Sequence, residues 1–344
     1  MKTLKRPGGI IMNPEFTKKL DLLASNRKAL NGAFVMEMGM SMVVGSLILA
    51  GAGKEADIVK MKEARKILKK KAPVFSAFRD SIELVVVSRM TLADDPERYF
   101  VDLVEVYNML KKGRIMEDSY YILSAMIICD RNRKDQAEDI CARTDEIMRR
   151  MSKEHPLLTS SEDLAMAVLL AMTDRDVDRI IADMEECFTY IKKELKIKAE
   201  ANSLQSLTQL LALSEGNMKA KCDKVADLFR SFRDHGMKYG TYLEFPALAT
   251  IIDVDVPTDE LVGEICEAAE YLKKNKGFSN WNMDSKSRLM FATLVASDVY
   301  SKDKDSSEGV VNKAVVMNST LAMAIAEEVA ILVIMLCVMT TNNN

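Results

Sequence analysis

Histidine, glycine, proline and the aromatics are all scarce in this chain, and each scarcity narrows what it can be. There are only two histidines, His155 and His235, in 344 residues. No Glu-x-x-His motif accompanies either of them, so a di-metal site of the helical-bundle type has no sequence basis. Glycine (14) and proline (7) are few, and apolar residues never alternate with polar ones in the manner of a half-buried strand. Aromatics make up only 6% of the chain against 48% hydrophobic residues, so the core must be built from aliphatics and from the 24 methionines. The formal net charge is −3, which excludes a global basic field of the kind that gathers nucleic acid.

Other absences remove whole classes of chemistry. The six cysteines, Cys129, Cys141, Cys187, Cys222, Cys266 and Cys337, include no C-x-x-C pair. They read as buried free thiols in a reducing compartment, not as a disulfide framework or a zinc site. No G-x-S-x-G elbow occurs. The stretch "GAGKEAD" at 51–57 lacks the spacing of a phosphate loop and reads as a helix stop. The N-terminal "MKTLKRPGGIIMNPEF" has no signal-peptide core. Its Gly8-Gly9-Ile10-Ile11-Met12 fits a translated ribosome-binding site, so residues 1–11 are expected to be a non-native leader and Met12 the native start.

What is present is helical periodicity. Leu103, Val106, Tyr107 and Leu110 recur at i, i+3, i+4, i+7, as do Val225, Leu228, Phe229 and Phe232, and Val262, Ile265, Cys266 and Ala269. Each set runs into polar residues and a glycine: "KKG" at 111–113, "RDHG" at 233–236 and "KKNKG" at 273–277. After each stop comes a more uniformly apolar segment: "DSYYILSAMIICD", "TYLEFPALATIID" and "DSKSRLMFATLVASD". These read as inner, buried helices. Their acidic endings, Asp95, Asp130, Asp174, Glu215, Asp253 and Asp298, recur every 35 to 45 residues. With Phe16–Leu30 and Met36–Ala50 ahead of them, about seven helical hairpins are expected. A hairpin cannot bury its apolar face alone, so the period implies stacking on neighbours. The expected fold is all-α: stacked helical hairpins forming an irregular α-solenoid over residues 12–300. A linker, Ser301–Gly309, and an apolar C-terminal helix at 310–341 follow.

That last segment poses a sharp physical question. Its apolar run Val329–Met339 is too short to span a bilayer. Extending it back to Leu321 places Glu327 and Glu328 near the centre, at a cost of about 6 kcal/mol, against roughly 3 to 4 kcal/mol returned by its aliphatics. Packing on the domain or on a partner is favoured over a membrane tether.

Three constellations offer possible sites. "HPLLTSSED" brings His155 close to Ser160, Ser161 and Asp163, but its position between helices and the pairs Thr159/Glu162 and Ser160/Asp163 describe a capping box. "DMEEC" puts Asp183 and Glu186 on one helix face, read as a solvated acidic face. Arg65, Lys66, Lys69, Lys70 and Lys71 form one dense basic run at a helix end, where cations complement the macrodipole. Trp281, the lone tryptophan, sits in "GFSNWNMD". It is expected to fold over the core end of the last hairpin, and it is also the best single candidate for contact with a ligand or partner.

The segments "HPLLTSSED", "DVDRIIADMEECF", "LLALSEG", "KYGTYLEFPALA" and "KGFSNWNMDSKSRLMFA", in that order, resemble a bacterial family catalogued as domain of unknown function 4003, found mainly in Firmicutes. The resemblance spans roughly residues 15–340. It implies a cytoplasmic all-helical protein and carries over no catalytic or binding residue. The function expected from the sequence is that of a non-enzymatic binding or scaffold protein, with no catalytic, cofactor or metal residues. Its partner is expected to be another protein or a second copy, not nucleic acid, with the membrane less favoured. The alternative is a small-molecule binder or enzyme with a pocket between hairpins.

Overall fold

A computed structural model describes residues 12–112 and 119–302. Among these, all regular structure is helical and no strand occurs. Thirteen α-helices follow one another: α1 Pro14–Ala33, α2 Gly39–Gly51, α3 Ile58–Lys71, α4 Glu83–Leu92, α5 Pro96–Lys111, α6 Ser119–Asp130, α7 Ala137–Glu154, α8 Leu164–Ala171, α9 Val177–Thr189, α10 Ala201–Leu211, α11 Met218–Asp234, α12 Thr258–Lys273 and α13 Ser285–Lys302. None is long and apolar enough to cross a membrane among the described residues. The segments expected as a leader (1–11), a linker (most of 301–309) and an apolar C-terminal helix (310–341) lie outside them.

Two kinds of helix alternate, for a reason visible in their composition. α5 buries the stripe Phe100, Leu103, Val106, Tyr107 and Leu110 and turns its other face to water. α12 buries Val262, Ile265, Cys266 and Ala269 in the same way. By contrast α2 is buried continuously from Ser41 to Ala50, and α8 over its whole length. A helix apolar all round needs neighbours on every side. α8 has them in α6, α7 and α10, and α2 in α1 and α4. Close approach is enabled locally: a Cβ at Gly45 on α2 would meet Ser88 Oγ on α4 at 2.6 Å.

The segment expected as an inner helix at "TYLEFPALATIID" is a 3-10 helix instead, Phe245–Ile251. Pro246 lies in its first turn, where a missing N–H is tolerated, while Thr250 and Ile251 are stiff, β-branched residues that lower helix propensity. The segment still packs on α10 and α13, with Phe245, Ala247, Leu248 and Ile251 buried.

The acidic endings divide into two roles. Asp95 caps α5, accepting from Arg98 N–H at 2.9 Å. The caps of α9 and α11, however, are Asp176 and Asn217, each two residues beyond the acid singled out in the sequence. Asp130 closes α6 and is held by Arg89 (3.0 Å) and the Tyr99 hydroxyl (2.7 Å).

Asp298 lies within α13 and pairs with Lys19 of α1. An open stack would keep its first and last hairpins apart. Here α1 packs on both α12 and α13. The Phe16 and Tyr300 rings meet edge-to-face at 6.4 Å. Glu264 accepts from Asn13 N–H (3.2 Å) and from the Tyr300 hydroxyl (2.6 Å).

Candidate functional site

The strongest candidate surface is the outer face of α3. Asp57 starts the helix, its side chain accepting from the Val59 and Lys60 N–H groups at 3.1 Å. Met61, Ala64 and Leu68 point inward. Lys60, Lys62, Lys66, Lys69, Lys70 and Lys71 are exposed, with Arg65 half-buried among them. Lys69, Lys70 and Lys71 occupy the last turn, where the helix dipole favours positive charge. That effect fades within a turn, so it does not account for Lys62 and Lys66. These two continue the stripe upstream at i, i+4 and i+8 with Lys70.

The stripe edges an open groove of about 480 Å³ lined by Lys62, Arg65, Lys66, Lys69, Lys70 and, from the end of α1, Ala33 and Phe34. Arg65 is fixed there. Its guanidinium bonds Glu37 and Glu83 and lies over the Phe34 ring, 5.6 Å from the centroid. Lys69 leans towards Glu83 (3.5 Å) and Lys71 pairs with Glu97 (2.8 Å). Lys62, Lys66 and Lys70 make no ion pair among the described residues. Loops on either side present apolar side chains to solvent: Val35 and Met36 directly after Phe34, and Val74 and Phe75 just beyond α3. Met36 is 93% and Phe75 99% exposed. The basic run marked part of this face in the sequence. Lys62 stands outside that dense run, and the two apolar tips went unnoticed because exposure of a loop residue has no periodic signature.

The "HPLLTSSED" stretch is a capping structure. Ser160 and Asp163 form the box: Ser160 N–H donates to Asp163 Oδ2 (2.9 Å) and Glu162 N–H to Ser160 Oγ (3.2 Å). His155 does not face a serine. Its Nε2 lies 2.8 Å from Glu185, and its ring packs on Phe188. Asp163 is buried and also accepts from Gln205 (2.9 Å) and Gln209 (2.7 Å). Burial pushes its carboxyl above the usual range, against the pull of these donors. A cleft of about 100 Å³ beside it is lined by Glu162, Asp163, Glu200, Ser203 and Tyr242, among others.

Of the "DMEEC" acids expected on a solvated face, Glu186 is exposed but Asp183 is not. Asp183 sits three residues after Ile180 on the inward side of α9 and is buried. Its charge is compensated by Arg175 and by Arg179, the latter at 3.1 Å. Glu185 is taken up by His155. Among the described residues no group of three or more His, Cys, Asp or Glu side chains is placed to hold a metal ion. The five described cysteines are unbridged, and burial raises the thiols of Cys129 and Cys266 to about 12.

Trp281 does not fold over the core. It stands 97% exposed at a loop tip. The residues that anchor this loop are its neighbours. Phe278 and Met283 are buried. Arg288 donates to the Phe278 carbonyl (3.0 Å) and to Asn280 Oδ1 (2.7 Å). Phe278 takes the buried aromatic place in this loop, and Trp281 stands in solvent.

Among the described residues the architecture is that of an all-helical protein. The family model described as "Protein of unknown function (DUF4003)" matches residues 26–332. The chain belongs to that family. No curated protein and no solved structure matches it.

Proposed function

We propose that the chain is a non-enzymatic binding or scaffold protein, cytoplasmic, built from helical hairpins whose inner helices are α2, α4, α6, α8, α10, the 3-10 helix and α13, and that it engages its partner through the α3 face. One observation carries this reading: Lys62, Lys66 and Lys70, which make no ion pair among the described residues, lie on the helix that leads into an apolar loop tip at Val74 and Phe75, beside the groove whose Phe34 precedes a second tip at Val35 and Met36. Clustered like charges repel one another, and exposed Phe and Met gain nothing from solvent, so both features are relieved only by something that covers them. Trp281 is a second contact point of the same apolar, exposed kind. The interior, by contrast, spends its charged groups on packing, as in the Asp183 pairs with Arg175 and Arg179.

Native mass spectrometry of the protein from its own host tests the reading. Wild type is expected to carry a bound protein, second copy or lipid that the triple variant Lys62→Gln, Lys66→Gln, Lys70→Gln lacks. A small organic ligand retained equally by both would move the function to a pocket between hairpins.

A further inference from the structure

We propose that the partner of the α3 face is the surface of an anionic lipid bilayer. This rests on the reading of α3 as the docking surface and names what it docks on. Four features point to lipid.

The first is local charge. Within Ile58–Lys71 seven residues are basic (Lys60, Lys62, Arg65, Lys66, Lys69, Lys70, Lys71) and one, Glu63, is acidic, in a chain whose net charge is −3. Glu37, Glu83 and Glu97 offset Arg65, Lys69 and Lys71, so the positive excess of this face is carried by Lys60, Lys62, Lys66 and Lys70. The second is its form: Lys62 to Lys70 spans two turns, about 12 Å along the helix. A helix with a basic face laid along an anionic membrane meets several headgroups at once.

The third is the pairing of charge with projecting apolar tips. Met36 stands two residues after Phe34, which lines the groove beneath Arg65, and Phe75 stands four residues after Lys71, the last lysine of α3. An acidic polypeptide would neutralise the lysines and leave these tips in water. The interfacial zone of a bilayer takes both, the tips entering below the headgroups that the ammoniums contact. The fourth is the residue type. Geometric recognition of a single phosphate or carboxylate uses the arginine fork. The one arginine in the groove, Arg65, is already committed to Glu37 and Glu83. What is left is flexible lysine, suited to a diffuse anionic surface.

The test is co-sedimentation of the full chain with vesicles of phosphatidylcholine alone and of phosphatidylcholine with 30% phosphatidylglycerol. Binding is expected to the anionic vesicles only, and to weaken with added salt. Each lysine near such a surface is worth about fivefold in binding. The variant Lys62→Gln, Lys66→Gln, Lys70→Gln is therefore expected to lose on the order of 100-fold. A variant of equal charge change elsewhere, Lys193→Gln, Lys198→Gln, Lys238→Gln, retains binding. In a Trp281→Phe background, tryptophan placed by Phe75→Trp is expected to shift its emission to the blue on adding anionic vesicles.

Absent binding, equal loss in both lysine variants, or an unshifted emission would overturn the proposal. So would binding that ignores the α3 lysines, which would assign it to another segment such as 310–341. If vesicles fail while native mass spectrometry still shows a protein lost from the α3 variant, the lipid assignment falls and the docking surface stands. If neither is found, both fall.

Discussion

The Lys19 ammonium stands 2.6 Å from the Asp298 carboxylate, joining the first described helix to the last. Both side chains are largely buried, and Lys19 also donates to the Ala50 and Gly51 carbonyls at the end of α2. One cation thus ties together α1, α2 and α13. Removing one partner of a buried pair leaves the other charge uncompensated, at a cost of about 3 to 5 kcal/mol. Lys19→Ala is expected to lower stability in urea by that order while keeping a single transition. A loss below about 1 kcal/mol would mean that the contact between first and last helices is incidental.

Phe278 and Trp281 are three residues apart and opposite in burial. Phe278→Ala is expected to cost about 3 to 5 kcal/mol and Trp281→Ala less than about 0.5. Chemical denaturation of the two variants checks this, and the reverse order would show that the tryptophan covers the core.

Gly277 has φ +94°, and a Cβ there would come within 2.8 Å of the Arg27 side chain. Gly277→Ala is expected to destabilise by about 1 to 3 kcal/mol, from backbone strain together with displacement of Arg27. Gly32→Ala is the control, since open space surrounds that position and it lies within helix α1.

Asp163 gives stability a defined pH dependence. Its folded pKa is raised by burial, so the folded state holds the proton more tightly than the unfolded chain. Stability from this group is fully present below the unfolded aspartate value, near 4, and declines as pH rises from there through the raised folded value. Asp163→Asn keeps an acceptor for the Ser160 N–H and cannot ionise. Its stability relative to wild type is expected to improve across that window and then level off. Parallel pH profiles for the two proteins would show that the carboxyl is not perturbed.

The sequence makes the alternation of half-buried and fully buried helices plain, because helical period and apolar content are properties of short segments. The stripe of α5 and the stripe of α12 lie where the i, i+3, i+4, i+7 pattern puts them. The Ser160/Asp163 box is legible for the same reason, being local. What a segment cannot carry is a long-range partner. Asp183 reads as solvent-facing until Arg175 and Arg179 are seen around it, and Asp298 reads only as the acidic ending of an inner segment until Lys19 is seen beside it. Trp281 shows the same limit from the other side: Phe278, three residues earlier, fills the place that the tryptophan was expected to take. The α3 face was half legible, since its last-turn lysines have a local explanation while Lys62, Lys66 and the flanking Met36 and Phe75 acquire meaning only together.

Photo-crosslinking in the host cell from a benzophenone side chain at position 75 tests the docking face most directly, with position 157, whose leucine is also fully solvent-facing, as the reference. The account predicts protein or lipid adducts at 75, few at 157, and their loss when Lys62, Lys66 and Lys70 become glutamine. Equal labelling at both positions, or labelling at 75 that survives the lysine changes, would contradict it.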